Sequence, residues 1–462
     1  MNTSLSPQLM TAAPPPPARG AFLRAVLVLV SGTALAHGLT AAALPVLSRL
    51  YSPAEFGLLA VFSSFLGIIS IAACLRYELA IPLPQTDQDA LHLLVLSMLC
   101  CTGLSLVLGL LVALVPQWLL GLLGQPQLGP YLWLAPLGLL LAGAYSALQF
   151  WHVRGKHFTL LARTRIAQSA GSAATQVGLG WAGMHPLGLL LGYVMNTGIA
   201  CLGLGGALLR ALPSMSWSRI GTLALEYRRF PLFSTIESLA NSAAIQVPVI
   251  MIAALATPSE AGYLMMAMYV AQAPMSLIGT AIGQVYLSRA PTEYRQGHLG
   301  PFTVEIFSGL FKAGAGPMLA TGILAPLLFG QVLGSDWQRA GVLVLWMTPW
   351  FLLQFLAVPV GLGLHVTGHL RAALLLQSGG FAFRVAMVWG TWRWHALLVS
   401  EAYAVSGAIF YLGYLIAVMS AVRADWRSMI LGLRRGAGVA LLWAAGAAIL
   451  ALCILLLAPG KA

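Results

Sequence analysis

Runs of about 20 or more largely apolar residues recur from one end of the 462-residue chain to the other, and each suffices to carry a helix across a hydrocarbon core of about 30 Å. Inside a bilayer every backbone N–H and C=O must be paired within the protein, so only helices or a closed barrel can span it. Barrel strands alternate in short segments, whereas these runs are apolar on all sides. The chain therefore reads as an all-α polytopic membrane protein. Only 8% of its residues are charged, against about 25% in soluble domains. The net charge of +12 does not point to nucleic acid, because the basic residues sit in short clusters between apolar runs, as the positive-inside rule requires. Cys74, Cys100, Cys101, Cys201 and Cys453 lie in or beside the runs without metal-ligand spacing and read as small buried hydrophobes.

Twelve spans are expected at 22–47, 56–81, 90–115, 131–152, 160–182, 186–209, 233–256, 261–288, 303–330, 340–364, 371–392 and 396–420, with a thirteenth at 436–458. Residues 1–20, with the run Pro14 to Pro17, form a polyproline-like tail rather than a cleaved signal. The remaining organisation is an N-lobe (21–210), an amphipathic cytoplasmic linker (211–232), a C-lobe (233–421), and a basic linker with one extra helix (422–462). The chain carries no phosphate loop of the G-x-x-x-x-G-K-[ST] type.

Two lobes follow from repeated marks. Ser52-Pro53-Ala54-Glu55-Phe56-Gly57-Leu58-Leu59 fits [ST]-P-x-E-x-G-x-L, and so does Thr257-Pro258-Ser259-Glu260-Ala261-Gly262-Tyr263-Leu264, 205 positions on. Each opens a helix: an N-cap hydroxyl, a proline in the first turn and a glutamate at N3 to complete a capping box. L-W-x-x-P-x-x-L-L occurs at Leu132 and again at Leu345, offset by 213, and His152-Val153-Arg154-Gly155 aligns with His365-Val366-Thr367-Gly368 at that same offset. Six spans per half give both halves one orientation, hence a parallel pseudo-two-fold repeat about the membrane normal. With the N-terminus cytoplasmic, 19 of the 24 Lys and Arg fall on the cytoplasmic side.

The run Leu47-Ser48-Arg49-Leu50-Tyr51-Ser52-Pro53-Ala54-Glu55-Phe56-Gly57, followed by Leu75-Arg76-Tyr77-Glu78-Leu79-Ala80-Ile81, resembles the first two helices of bacterial polysaccharide-biosynthesis flippases. These are the O-antigen and exopolysaccharide translocases of the multidrug/oligosaccharidyl-lipid/polysaccharide exporter superfamily. The resemblance extends over 22–420. It implies two six-helix lobes around a central cavity lined mainly by the first two helices of each lobe. It also implies alternating-access movement of an undecaprenyl-pyrophosphate-linked oligosaccharide from the cytoplasmic to the periplasmic leaflet of the inner membrane. The implied protein is a monomer without cofactor, coupled to a proton or sodium ion, among membrane lipids and beside a polysaccharide polymerase and chain-length regulator. The thirteenth span departs from the twelve-helix pattern and places the C-terminus outside.

Intramembrane polar groups are costly and mark candidate sites. Arg76 and Glu78, near the inner end of helix 2, read either as an interfacial ion pair or as a phosphate contact tuned by a carboxylate. In helix 7, Glu237 and Asn241 share a face and Gln246 follows. These three face the cavity or form a packing network between lobes, and Glu237 is the coupling-ion candidate. Lys312 and Arg384 are lone intramembrane cations, attracting pyrophosphate or balancing Glu305 and Glu401. Arg163 and Arg165 read as headgroup anchors, and His37 as a hydrogen-bonded structural residue. Other expectations compatible with this composition are a different cargo, such as lipid II or a cationic drug, and a membrane polysaccharide polymerase or ligase. A drug exporter would present acidic cavity residues.

Overall fold

The computed structural model describes residues 19–206, 216–257 and 259–457. Among the described residues, thirteen helices of 17 residues or more carry the architecture. The first six are α1 (Arg19–Leu50), α2 (Pro53–Ile69), α3 (Asp87–Leu114), α4 (Leu134–Arg154), α5 (Phe158–Trp181) and α6 (Leu187–Leu204). The next six are α7 (Thr235–Leu255), α8 (Glu260–Arg295), α9 (Leu299–Val332), α10 (Gln338–Ala357), α11 (Leu370–Trp394) and α12 (Val399–Ala421), and α13 (Trp426–Leu457) ends the series. Nine helices among the described residues are long and apolar enough to cross a membrane. Of the tail expected over 1–20, only Arg19 and Gly20 are described; they open α1.

Packing repeats with an offset of six helices, as the duplicated marks require. In the first lobe α1 packs on α5, α5 on α6, α4 on α6 and α3 on α4. In the second, α7 packs on α11, α11 on α12, α10 on α12 and α9 on α10. The extra helix α13 packs along α9. Between lobes 1 and 2 a short amphipathic helix, Trp217–Glu226, buries Ile220 and Leu223. It is held to the start of α3 by Arg219, whose guanidinium donates to both oxygens of Asp89 at 2.7 Å.

The lobes meet where the repeat marks lie. Ser52 caps α2 by accepting the Glu55 N–H at 3.4 Å, while Glu55 Oε2 accepts the Ser52 N–H at 2.7 Å, completing the expected capping box. The glycines of the two marks face each other: a Cβ on Gly262 would run into the Pro53 carbonyl oxygen and lie 2.9 Å from the Gly57 nitrogen. Small residues let α2 and α8 approach backbone to backbone, the usual way helices associate in lipid. Around this crossing, Trp337 donates its indole N–H to the Ser48 carbonyl at 2.9 Å and packs edge-on against Phe56 and Tyr263. Ser48 donates to the Leu333 carbonyl at 2.8 Å, and Gln125 to that of Ala253 at 2.7 Å. These contacts close the bundle at the end marked by Tyr51.

A second seam joins α2 to α7. Ser64 donates to Gln246 Oε1 at 3.1 Å, and Ser242 to the Gly67 carbonyl at 2.9 Å. Arg76 donates to Ser238 at 2.7 Å. This last contact belongs to the opposite, Arg154-marked end. There Arg154 staples the loop before α3 through the carbonyls of Pro82 and Pro84 and the carboxylate of Asp87.

Three expectations need correction. Helix 2 does not run to 81: it stops at Ile69, tightens into i→i+3 turns, and Leu75 and Arg76 adopt φ of 49° and 62° before a 3-10 turn at Tyr77–Ala80. Cys74, donating to the Gly143 carbonyl, and Tyr77, donating to that of Ala224, hold that bend from other elements. Helix 10 ends at Ala357, two residues before Pro359, which has no N–H to give the carbonyl of Phe355 four residues back. In the second repeat mark Glu260 does not close a capping box; with Glu401 it pairs with Arg339, at 2.9 Å for Glu260. Pro258 lies outside the described residues.

Gly262→Ala is expected to lower stability by about 1–3 kcal/mol, the usual cost of overpacking, read as thermal unfolding in detergent. Gly438→Ala, where a Cβ meets nothing within 4 Å, should not; equal midpoints would contradict the close crossing. For the α2–α7 seam, a Ser64→Ala, Gln246→Leu double-mutant cycle should return a coupling of roughly 0.6–1.7 kcal/mol. Strict additivity would remove that bond from the seam.

Candidate functional site

By the six-helix offset, the counterpart of the α2–α7 seam is α8 against α1. Among the described residues no side-chain hydrogen bond like those of α2 and α7 joins this pair, and a cavity of about 1060 Å³ opens beside it. Its walls differ in chemistry. The N-lobe wall carries Thr33, His37 and Thr40 from α1 and Arg165, Gln168, Ser169, Ser172 and Gln176 from α5, with Tyr193 and Asn196 from α6. The facing C-lobe wall is α9, which presents Pro317, Ala320, Leu324, Ala325, Leu328 and Phe329 with Thr321 as its one hydroxyl. Thr321 spends that hydroxyl on the Pro317 carbonyl at 2.9 Å. Tyr269 and Gln272 of α8, Phe56 and Leu59 of α2, Tyr145 of α4 and Trp443 of α13 also line it.

Local sequence explains the two walls. On α5 the polar residues recur at i, i+3, i+4, i+7 and i+11 from Arg165, so they form one stripe along one face. On α1, Thr33, His37 and Thr40 recur at i, i+4 and i+7. The stripes meet: Arg165 Nη1 donates to Thr33 Oγ1 at 2.6 Å, and Thr40 Oγ1 lies 3.5 Å from Ser169 Oγ. Pro45 in α1 and Pro317 in α9, both cavity-lining, remove backbone bonds where these long helices flank the space.

Among the described residues Arg165 is the one permanently charged side chain on the lining, and no Asp or Glu joins it there. Half-buried and without an acidic partner among the described residues, its guanidinium keeps N–H donors beyond the one given to Thr33. In a site of reduced dielectric such a cation attracts an anion more strongly than it would in water. The cavity therefore offers one anion-binding group, a run of amide and hydroxyl groups, and an opposing apolar face.

The residues singled out from the sequence lie elsewhere. Arg76 and Glu78 are brought together at 3.5 Å, with Glu78 buried and its Oε2 unpartnered, and Arg76 reaches Ser238 in the seam. Gln246 also lies in the seam, bound to Ser64, and Asn241 is exposed. Glu237 precedes Ser238 on α7; its side chain lies outside the described residues. Lys312 is exposed on α9, close to where Gly436 of α13 crosses it. Arg384 is buried inside the C-lobe, 4.8–6.0 Å from the ring centres of Trp350, Tyr403, Phe410 and Tyr411, with Nε and Nη2 lacking hydrogen-bond partners. Such rings favour a desolvated guanidinium. Among the described side chains, Arg76, Glu78, Asn241, Gln246, Lys312 and Arg384 do not line the cavity, and Gln246 of α7 is spent on α2. Arg165, read above as a headgroup anchor, sits two turns inside α5 on the cavity; the i, i+3, i+4, i+7, i+11 stripe was the signal for it.

The sequence profile of the family described as "polysaccharide biosynthesis protein" matches residues 46–340. No curated protein matches the chain. Among solved structures it is similar to the lipid II flippase MurJ in an inward closed conformation, with a TM-score of 0.68 at 11% identity over 94% of this chain and 97% of that one. It is also similar to an inward-facing multidrug resistance MATE family transporter of the MOP superfamily, with a TM-score of 0.56 at 14% identity over 86% and 98%. Those likenesses give the fold. The chain belongs to the polysaccharide biosynthesis protein family, multi-pass membrane proteins built on the two-lobed fold that flippases and drug transporters of the MOP superfamily share.

Proposed function

We propose that this protein is a flippase that carries an undecaprenyl-pyrophosphate-linked oligosaccharide across the inner membrane by alternating access. The observation that supports the reading is the chemistry of the cavity: among the described residues its lining holds one arginine and no carboxylate, with a polar wall facing an apolar one. A lipid-linked saccharide has the matching parts. Its pyrophosphate pairs with Arg165, its sugars exchange water for the amides and hydroxyls of α1, α5 and α6, and its prenyl chain lies against α9. A cationic drug would find no acidic partner on this lining, which disfavours that cargo. Another glycolipid pyrophosphate, lipid II among them, would use the same parts.

The Arg154 end then faces the cytoplasm, where basic residues are favoured. The contacts of Trp337, Ser48 and Gln125 close the periplasmic end, and outward opening requires them to break. The α2–α7 seam, held by side-chain hydrogen bonds, is the joint about which the lobes rock. Arg76 reaches that seam at Ser238, beside Glu237, the residue proposed to take a proton or sodium ion that loosens it.

Purified protein should bind undecaprenyl pyrophosphate, and Arg165→Ala should weaken binding about tenfold to a hundredfold, as expected for a hydrogen bond to a charged group. Arg165→Lys should retain most of the affinity. Equal binding by wild type and Arg165→Ala would contradict the assignment.

A further inference from the structure

The α5 stripe has a polarity of its own, and it bears on how the cargo lies in the cavity. Ser172 donates its hydroxyl to the Gly192 carbonyl at 2.8 Å, and Gln176 donates its amide nitrogen to the Leu189 carbonyl at 3.4 Å. Gln168 donates to Asn196 Oδ1 at 3.5 Å. In all three cases a donor of α5 is spent on α6, the helix behind it. What remains on the cavity side is the amide carbonyls of Gln168 and Gln176, which have no protein partner among the described residues, the second N–H of each of these amides, and the lone pairs of Ser172. These groups are held in place by packing and by the bonds to α6, so little ordering cost accompanies binding.

We infer that Gln168, Ser172 and Gln176 form a saccharide-reading track on α5, with the cargo's phosphates at Arg165 and its sugars extending along the track toward the Tyr51 end. Resting on the flippase reading above, this inference adds an orientation and a set of specificity-determining residues. Amide carbonyls beside amide N–H groups match sugar hydroxyls, which both donate and accept, whereas phosphate oxygens, acceptors only, leave the carbonyls and the Ser172 lone pairs without a donor. Arg165, at the other end of the stripe, is the one place on the lining that favours the anion. From Arg165 to Gln176 the stripe rises about 16 Å at 1.5 Å per residue, enough for more than one sugar ring. A site built to bind hydroxyls discriminates strongly against ligands lacking them, because its acceptors are then left unpaired.

The test compares two probes on purified protein by native mass spectrometry: undecaprenyl pyrophosphate without sugar, and undecaprenyl pyrophosphate carrying a tetrasaccharide. Wild type should prefer the saccharide-bearing lipid at least tenfold. In the Gln168→Leu, Gln176→Leu double variant that preference should fall to within about threefold, whereas Arg165→Ala should weaken both probes and keep their ratio. Where the double variant does not fold, Gln176→Leu alone, at a half-buried position, should reduce the ratio by about threefold or more. An unchanged ratio in the leucine variants overturns the track and leaves the flippase reading standing. Failure of wild type to bind either lipid overturns the flippase reading, and the track with it.

Discussion

The close crossing of α2 and α8 at Gly57 and Gly262 is the contact on which the rest of this molecule depends. Two six-helix lobes in lipid have no hydrophobic force drawing them together, since acyl chains are as apolar as leucine. Backbone contact through glycine supplies van der Waals packing that larger side chains would prevent. The same crossing brings Ser48, Phe56, Tyr263 and Trp337 within reach of one another. From it, α2 continues against α7 through a ladder of side-chain hydrogen bonds, while α8 and α1 diverge around the cavity. The cavity thus lies beside the member of this pseudo-equivalent pair of seams that shows no such ladder among the described residues.

Charge placement follows the cost of carrying ions into lipid. Arg339 is matched by Glu260 and Glu401, and Arg384 by four aromatic rings. Arg76 is matched by Glu78 and Ser238. Each of these cations has its compensation within the protein. Arg165 has, among the described residues, a threonine hydroxyl and no acidic partner, so donors of its guanidinium remain for whatever enters the cavity. On the proposed reading, this positive charge on a polar wall, set against an apolar one, selects an amphiphile with an anionic head.

Much of the fold was legible because membrane helices leave strong local marks. Ser52 and Glu55 announce the start of α2, Pro359 announces the end of α10, and the paired glycines of the two marks lie at the lobe crossing. What escaped notice is tertiary in origin. Ser70 to Arg76 contains no glycine or proline, so nothing local foretells that the chain leaves the helix there; the bend is held by Gly143 and Ala224 from distant segments. Glu260 looks like a capping glutamate until Arg339 arrives from another helix. The polar residues of α7 stand out in an apolar span and read as a cavity face or as a packing network between lobes; Gln246 is spent on Ser64 of the other lobe, which only the fold reveals. The stripe on α5 was readable from its spacing, but Arg165 close to a helix start resembles a headgroup anchor until the fold shows which face it occupies.

The most direct test of the cavity assignment is to map where the cargo's sugar touches the protein. A lipid-linked oligosaccharide bearing a photoreactive group on its sugar, cross-linked in proteoliposomes and located by peptide mass spectrometry, should mark α1, α5 and α6. Adducts confined to α7, α11 or α12 would contradict the account.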